Sequence, residues 1–203
     1  DISLIRKVLI DMKDSALREI IPSTMGEPLL YKHMNEIIEM CNEYGIKLNL
    51  TTNGTFPILG ARAWAQQITP VASDVKISWN GACKETQEFI MEGADWEQQL
   101  HNAATFIQVR DEIASKGINR CSVTFQMTFM EANVLELPEI VKLAAQLGVD
   151  RVKGHHLWIH SKEMEPQSLR RNSRSIAKWN LIVDEVYKAA DKYRLTDGSK
   201  VFV

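Results

Sequence analysis

The chain has few cysteines: Cys41, Cys83 and Cys121 are the only three in 203 residues, and they stand far apart. An odd, widely spaced set argues against a disulfide framework and fits a reducing compartment, so a cytoplasmic protein is expected. The spacing matches no zinc or cluster motif, and the three read as separate small residues in or near the core. An excess of either charge is missing too, with 24 Lys+Arg against 26 Asp+Glu and a net charge of −2. That leaves no electrostatic footprint for nucleic acid and no polybasic membrane segment. No apolar run approaches a bilayer span, and no signal-peptide pattern stands at the start. The absence of G-x-G-x-x-G, a Walker loop and G-x-S-x-G counts against a nucleotide-binding domain or an α/β hydrolase. The chain opens with Asp1 in a helix-like pattern and is read as a piece of a longer protein.

What is present is a regular alternation of helical and strand-like periodicity. Leu4, Val8, Met12 and Ala16 keep helical spacing, and Arg18 to Ser23 reads as a strand. Leu30, Met34, Ile37, Ile38, Cys41 and Tyr44 line a helical face that Gly45 ends. Strands are expected over Lys47 to Thr51, Val75 to Ser78, Cys121 to Phe129 and Arg151 to Trp158. Helices are expected around Ala61 to Ile68, from Lys84 to Lys116 with a break near Gly93, over Leu137 to Leu147, and over Ile176 to Ala190. Lys200 to Val203 looks like a strand cut short. Repeated β-α alternation implies a parallel sheet with helices packed outside it. The expected fold class is therefore α/β, a partial (β/α) barrel with parallel strands, truncated at both ends. Residues 1–160 form its core, and residues 161–203 add a polar loop and a helix. A sheet short of a strand has a raw edge, through which the chain is expected to form homo-oligomers.

Ligands of parallel α/β sheets bind beyond the carboxyl ends of the strands. Those ends carry Thr24-Met25-Gly26-Glu27-Pro28, Thr51-Thr52-Asn53-Gly54, Ser78-Trp79-Asn80-Gly81, Gln126-Met127-Thr128 and Gly154-His155-His156. All are polar, and glycine in four of them lets backbone approach a ligand closely. Each alone is ordinary turn chemistry; five on one rim suit a ligand with several polar handles.

Several stretches resemble the radical S-adenosylmethionine (radical SAM) enzymes. Met25 to Leu30 is similar to that family's Gly-Gly-Glu-Pro-Leu-Leu, with Met in place of the first glycine. Leu50 to Thr55 resembles its Thr-Asn-Gly strand end, and Ser78-Trp79-Asn80-Gly81-Ala82 its Ser-Ile-Asp-Gly-Ala. Asp95-Trp96-Glu97 with Leu100-His101-Asn102, and Asn133 with Glu136-Leu137-Pro138 through Asp150, continue the likeness. The subgroup it resembles carries a C-terminal SPASM or related auxiliary-cluster domain. Where the family often has Arg, this chain has Met91, and Asn80 replaces an acceptor-only Asp with a group that also donates.

The resemblance implies roles. The backbone at Met25, Gly26 and Glu27 accepts from the cofactor's amino group, and Pro28 holds Glu27 extended. Thr52 and Asn53 face the cofactor, Ser78 and Asn80 contact its carboxylate or ribose, and Asn133 approaches the adenosine. The implied cofactors are S-adenosylmethionine and a 4Fe-4S cluster, and reductive cleavage at the cluster releases a 5′-deoxyadenosyl radical that abstracts hydrogen. An oxidoreductase-type or maturase enzyme follows, with a small-molecule or peptide substrate and an electron-donor protein as partners. No C-x-x-x-C-x-x-C motif occurs, so the cluster cysteines are expected upstream and the chain itself is expected to be inactive. A non-catalytic α/β module that binds a small molecule on the same rim is the alternative.

His155, His156 and His160 also stand near one strand end, where a substrate contact or a metal site is the functional reading. Successive strand residues face opposite sides, so His155 and His156 cannot both point inward. His156 and Gln126 are the candidate substrate contacts, while one satisfied core histidine and two exposed ones is the plainer account. Arg170, Arg171 and Arg174 read as a solvated helix start or as partners of an anionic substrate group.

Overall fold

The computed structural model describes residues 1–22 and 25–203. Ser23 and Thr24, which the strand and rim readings included, lie outside the described residues. The elements run α1 (Ile2–Met12), β1 (Glu19–Ile20), α2 (Met34–Tyr44), β2 (Lys47–Thr52), α3 (Gly60–Ile68), β3 (Ala72–Ser78), α4 (Lys84–Ile90), α5 (Trp96–Ala114), β4 (Ser122–Phe129), α6 (Leu137–Leu147), β5 (Arg151–His156) and α7 (Ser173–Lys192). The strands follow one another in the sheet in chain order, β1 to β5, and β1–β2, β2–β3 and β4–β5 pair in parallel. The α/β class with helices flanking a parallel sheet is thus the observed one. Two compact units make up the chain, Asp1–Ile77 with His101–Val123, and Ser78–Leu100 with Thr124–Val203.

In the first unit β2 alternates as its sequence does: Leu48, Leu50 and Thr52 are buried while Lys47 faces water. Helix α2 places Met34, Ile37, Ile38 and Cys41 inward at i, i+3, i+4 and i+7 and stops at Gly45, whose N–H donates to the Cys41 carbonyl. It begins later than its sequence pattern suggests. Pro28–Leu30 forms a separate 3₁₀ turn, and Leu30 is exposed. Strand β1 is only two residues long, shorter than the reading of Arg18 to Ser23. Helix α1 buries Leu9 alone, while Leu4 and Val8 are exposed.

In the second unit Trp79 and Phe125 stack with centroids 4.4 Å apart at 10°, and Trp79 also meets Trp96. The long helical stretch is two helices, because Glu88 accepts from the Trp96 N–H at 3.0 Å and Asp95 caps the Gln98 N–H at 2.9 Å. Strand β5 ends at His156, with Trp158 exposed beyond it. Gly154 lies opposite Met127, and a Cβ there would strike the Met127 carbonyl and come 2.9 Å from the Phe129 ring. The segment read as a cut strand makes a parallel bridge, Phe202 to Arg151.

Candidate functional site

The turn after β1 is built around one carboxylate. Pro28 starts the 3₁₀ turn with its fixed φ, and the fully buried Leu29 anchors it. Glu27 then accepts from the Leu29 N–H at 3.1 Å, from the Thr52 hydroxyl at 2.9 and 3.0 Å, and from the Asn53 N–H at 2.6 Å. Such charge-assisted bonds are stronger than neutral ones and tie the turn to the end of β2. The Thr52 hydroxyl is buried and also accepts from the Gly54 N–H at 3.2 Å. Asn53 folds its own turn, its Oδ1 accepting from the Thr55 N–H at 2.9 Å and hydroxyl at 2.7 Å. From α5, the buried Asn102 donates to the Gly54 carbonyl at 2.9 Å and the Thr55 carbonyl at 3.1 Å. Met25, 95% exposed, and Gly26 form the open part of this tip. Gly26 has φ +80° with nothing within 4 Å of a would-be Cβ, a backbone shape that favours glycine.

In the second unit the turn after β3 is held the same way. Ser78, the half-buried last residue of β3, leads into it. The Trp79 indole N–H donates to the Gly81 carbonyl at 2.8 Å, and the Trp79 N–H donates to the Gln126 carbonyl at 3.0 Å. Gln87 of α4, fully buried, accepts from the Asn80 N–H at 2.7 Å and the Gly81 N–H at 2.9 Å. Its amide donates to Gln99 Oε1 at 2.8 Å. Asn80 is 8% exposed, and its Oδ1 accepts from the Thr128 N–H at 2.8 Å. Asn133, fully buried, donates to the Asn80 carbonyl at 3.0 Å and the Thr128 carbonyl at 2.9 Å and accepts from the Met130 N–H at 3.0 Å. Glu136 accepts from the Ala82 N–H at 2.6 Å and from the Thr86 hydroxyl.

The predicted site residues therefore divide by role. Met25 and Gly26 present backbone to solvent. The side chains of Glu27, Thr52, Asn80 and Asn133 are engaged in shaping the turns around them. Gln87, Gln99, Asn102 and Glu136 do comparable work and carried no role in the sequence reading. Asn102 and Glu136 stood inside family-like stretches, whereas no motif marks a glutamine seven residues after Asn80.

His155 is exposed, and His156 packs edge-on against Trp179 at 4.6 Å and Phe129 at 6.0 Å. Its Nδ1 is buried with no hydrogen-bond partner among the described residues. Burial, then the charge of Arg170 and the neighbouring His155, pushes the His156 imidazole below its ordinary range. The half-buried Gln126 stands opposite Lys153 in the β4–β5 register.

The open tip of the first unit offers backbone groups at Met25 and Gly26, and the second unit offers the half-buried Ser78 hydroxyl, groups whose chemistry suits an amino-acid nucleoside such as S-adenosylmethionine. An iron–sulfur cluster does not fit these residues. Cys41 and Cys121 are buried, Cys83 is half-buried, and no group of three potential metal ligands occurs among the described residues. Burial pushes the Cys41 thiol up to about 11, far from the thiolate a metal needs.

No protein-family model matches the chain, and no curated protein matches it. Solved structures do. SuiB of Streptococcus suis, in its complex with S-adenosylmethionine, is 16% identical with a TM-score of 0.64, over 94% of this chain and 41% of that one. TYW1 with a lysine-pyruvate adduct bound is 18% identical with a TM-score of 0.58, over 90% of this chain and 51% of that one. A domain of pyruvate-formate lyase-activating enzyme from Bacteroides vulgatus is 12% identical with a TM-score of 0.58, over 88% of this chain and 98% of the domain. The chain spans about half of TYW1 and less of SuiB, so the likeness concerns part of those proteins. All three are radical SAM enzymes, and this chain shares their α/β fold.

Proposed function

We propose that the chain is the S-adenosylmethionine-binding part of a radical SAM enzyme core. The observation that carries this reading is the set of strand-end turns, each held by buried side chains, in a fold shared with SuiB in its complex with S-adenosylmethionine. The roles are modest and specific. Backbone carbonyls at Met25, Gly26 and Glu27 accept from the cofactor's ammonium group, and Glu27 holds that turn against the end of β2. The half-buried Ser78 offers a hydroxyl, and the Asn53-Gly54 and Asn80-Gly81 turns offer backbone. Thr52, Gln87, Asn102 and Asn133 keep these turns rigid, so little ordering entropy is lost on binding. Bound S-adenosylmethionine, reduced by one electron at a 4Fe-4S cluster, would supply a 5′-deoxyadenosyl radical for hydrogen abstraction from substrate. The thiolates for that cluster are not among Cys41, Cys83 and Cys121, so binding and orientation are this chain's share. An oxidoreductase or maturase acting on a peptide is the proposed parent activity. SuiB has also been solved with its precursor peptide SuiA, which supports a peptide substrate.

The test has two arms. In amide NMR of the 203-residue chain, S-adenosylmethionine should shift residues 25–27, 53–54 and 80–81. A longer natural chain containing this sequence, prepared without oxygen and given iron and sulfide, should absorb in the visible and form 5′-deoxyadenosine on reduction. Shifts without cleavage would leave a non-catalytic binding module, and an absence of both would remove the reading.

A further inference from the structure

In the second unit, the loop after β4 and the first turns of α7 border a half-open polar cavity of about 550 Å³. Its walls are Glu131, Arg171, Asn172, Arg174, Ser175 and Lys178. Three cations thus face one carboxylate. Lys178 donates to Glu131 at 2.6 Å and Arg171 stands 3.5 Å from it, and the Lys178 bond holds the Glu131 carboxyl below its usual range. That pairing neutralises a single positive charge.

The Arg171 guanidinium is fixed in place. Arg171 donates from Nη1 to the Pro166 carbonyl at 2.8 Å and from Nε to the Ser175 hydroxyl at 3.3 Å. Ser175 is 2% exposed and donates its own N–H to Asn172 Oδ1 at 2.9 Å. A guanidinium has five N–H donors, and the contacts of Arg171 employ three of them. Arg174 makes no hydrogen bond or ion pair among the described residues. It stands four residues before Lys178 on α7, whose own charge Glu131 balances, so the Arg174 charge has no carboxylate partner of its own among the described residues. The Arg171, Asn172 and Arg174 side chains are exposed around this opening, within reach of a ligand arriving from solvent. The cavity volume falls within the range of small-ligand pockets and exceeds what an inorganic ion fills.

We propose that this cavity is an oxyanion subsite that takes the carboxylate or phosphate group of a small organic ligand, with Arg171 and Arg174 on its oxygens. The assignment does not rest on S-adenosylmethionine binding. Inorganic phosphate and succinate, titrated separately into the 203-residue chain at low salt, should each be followed by amide NMR. Saturable shifts are expected at Asn172, Arg174 and Ser175 for at least one of them, and the better probe identifies the oxyanion. Arg174→Gln removes no internal hydrogen bond and should weaken binding about tenfold, while Arg174→Lys should lose less. Added salt should weaken binding in the parent. No saturable shift with either probe, or equal affinity in Arg174→Gln, overturns the proposal.

Discussion

Gln87→Met replaces a buried amide with an apolar side chain of similar length. Gln87 is fully buried, and its Oε1 accepts the Asn80 N–H at 2.7 Å and the Gly81 N–H at 2.9 Å. Its Nε2 donates to Gln99 at 2.8 Å. The substitution strips two backbone donors of their acceptor and removes a donor from Gln99. Each buried polar group left unsatisfied costs about 1–3 kcal/mol, so with partial relief by water the loss should be about 3–5 kcal/mol. A domain stable by about 5–15 kcal/mol would remain folded with a much lower urea midpoint. Gln87→Glu in its protonated form keeps an acceptor for both N–H groups, buries no charge and has an O–H to donate toward Gln99 Oε1. It should cost clearly less than Gln87→Met. Hydrogen exchange at Asn80 and Gly81 should quicken in Gln87→Met. Urea unfolding with unchanged slope reads the first two values. A loss under about 1 kcal/mol for Gln87→Met, or equal losses for both variants, would refute the view that this amide holds the turn.

Other outcomes follow from single contacts. Gly154→Ala should destabilise by about 1–3 kcal/mol, read by thermal unfolding, because its methyl would meet the Met127 carbonyl. Ile58, at φ 71° and 75% exposed, should gain about 1–2 kcal/mol as Ile58→Gly, since a β-branched residue is strained there and little burial is lost. Iodoacetamide near neutral pH should modify the half-buried Cys83 in the folded protein and leave Cys41, raised to about 11, unreacted until unfolding; mass spectrometry locates the label. His156 has a folded pKa below its ordinary 6.5, so the unfolded chain takes up the proton first. Its share of stability is whole above 6.5 and lost as pH falls through that value toward the folded pKa. His156→Phe should flatten urea midpoints between about pH 7 and pH 5.

The strands and helices were legible where one face is buried. Leu48 and Leu50 alternate with polar neighbours, and Met34, Ile37, Ile38 and Cys41 repeat at helical spacing. Boundaries were less so. The helical pattern breaks near Gly93, whereas Asp95 as a capping residue is the sharper local signal for where α5 starts. Strand β1 is short because only Glu19 and Ile20 pair with Lys47 and Leu48, a limit imposed by a neighbour and invisible in β1 itself.

The order of polar strand ends, the β-α alternation and the lack of cluster cysteines followed from local spacing and composition, which depend on residues near one another in the chain. The use of each polar side chain did not. Glu27 meets Thr52, Asn102 meets Gly54, Asn133 meets Asn80 and Glu136 meets Thr86, and each partner lies tens of residues away. Carboxylates and amides bind either a ligand or a buried backbone, and their chemistry is the same in both cases. Burial decided between the two, because a polar atom removed from water bonds whatever partner packing brings to it.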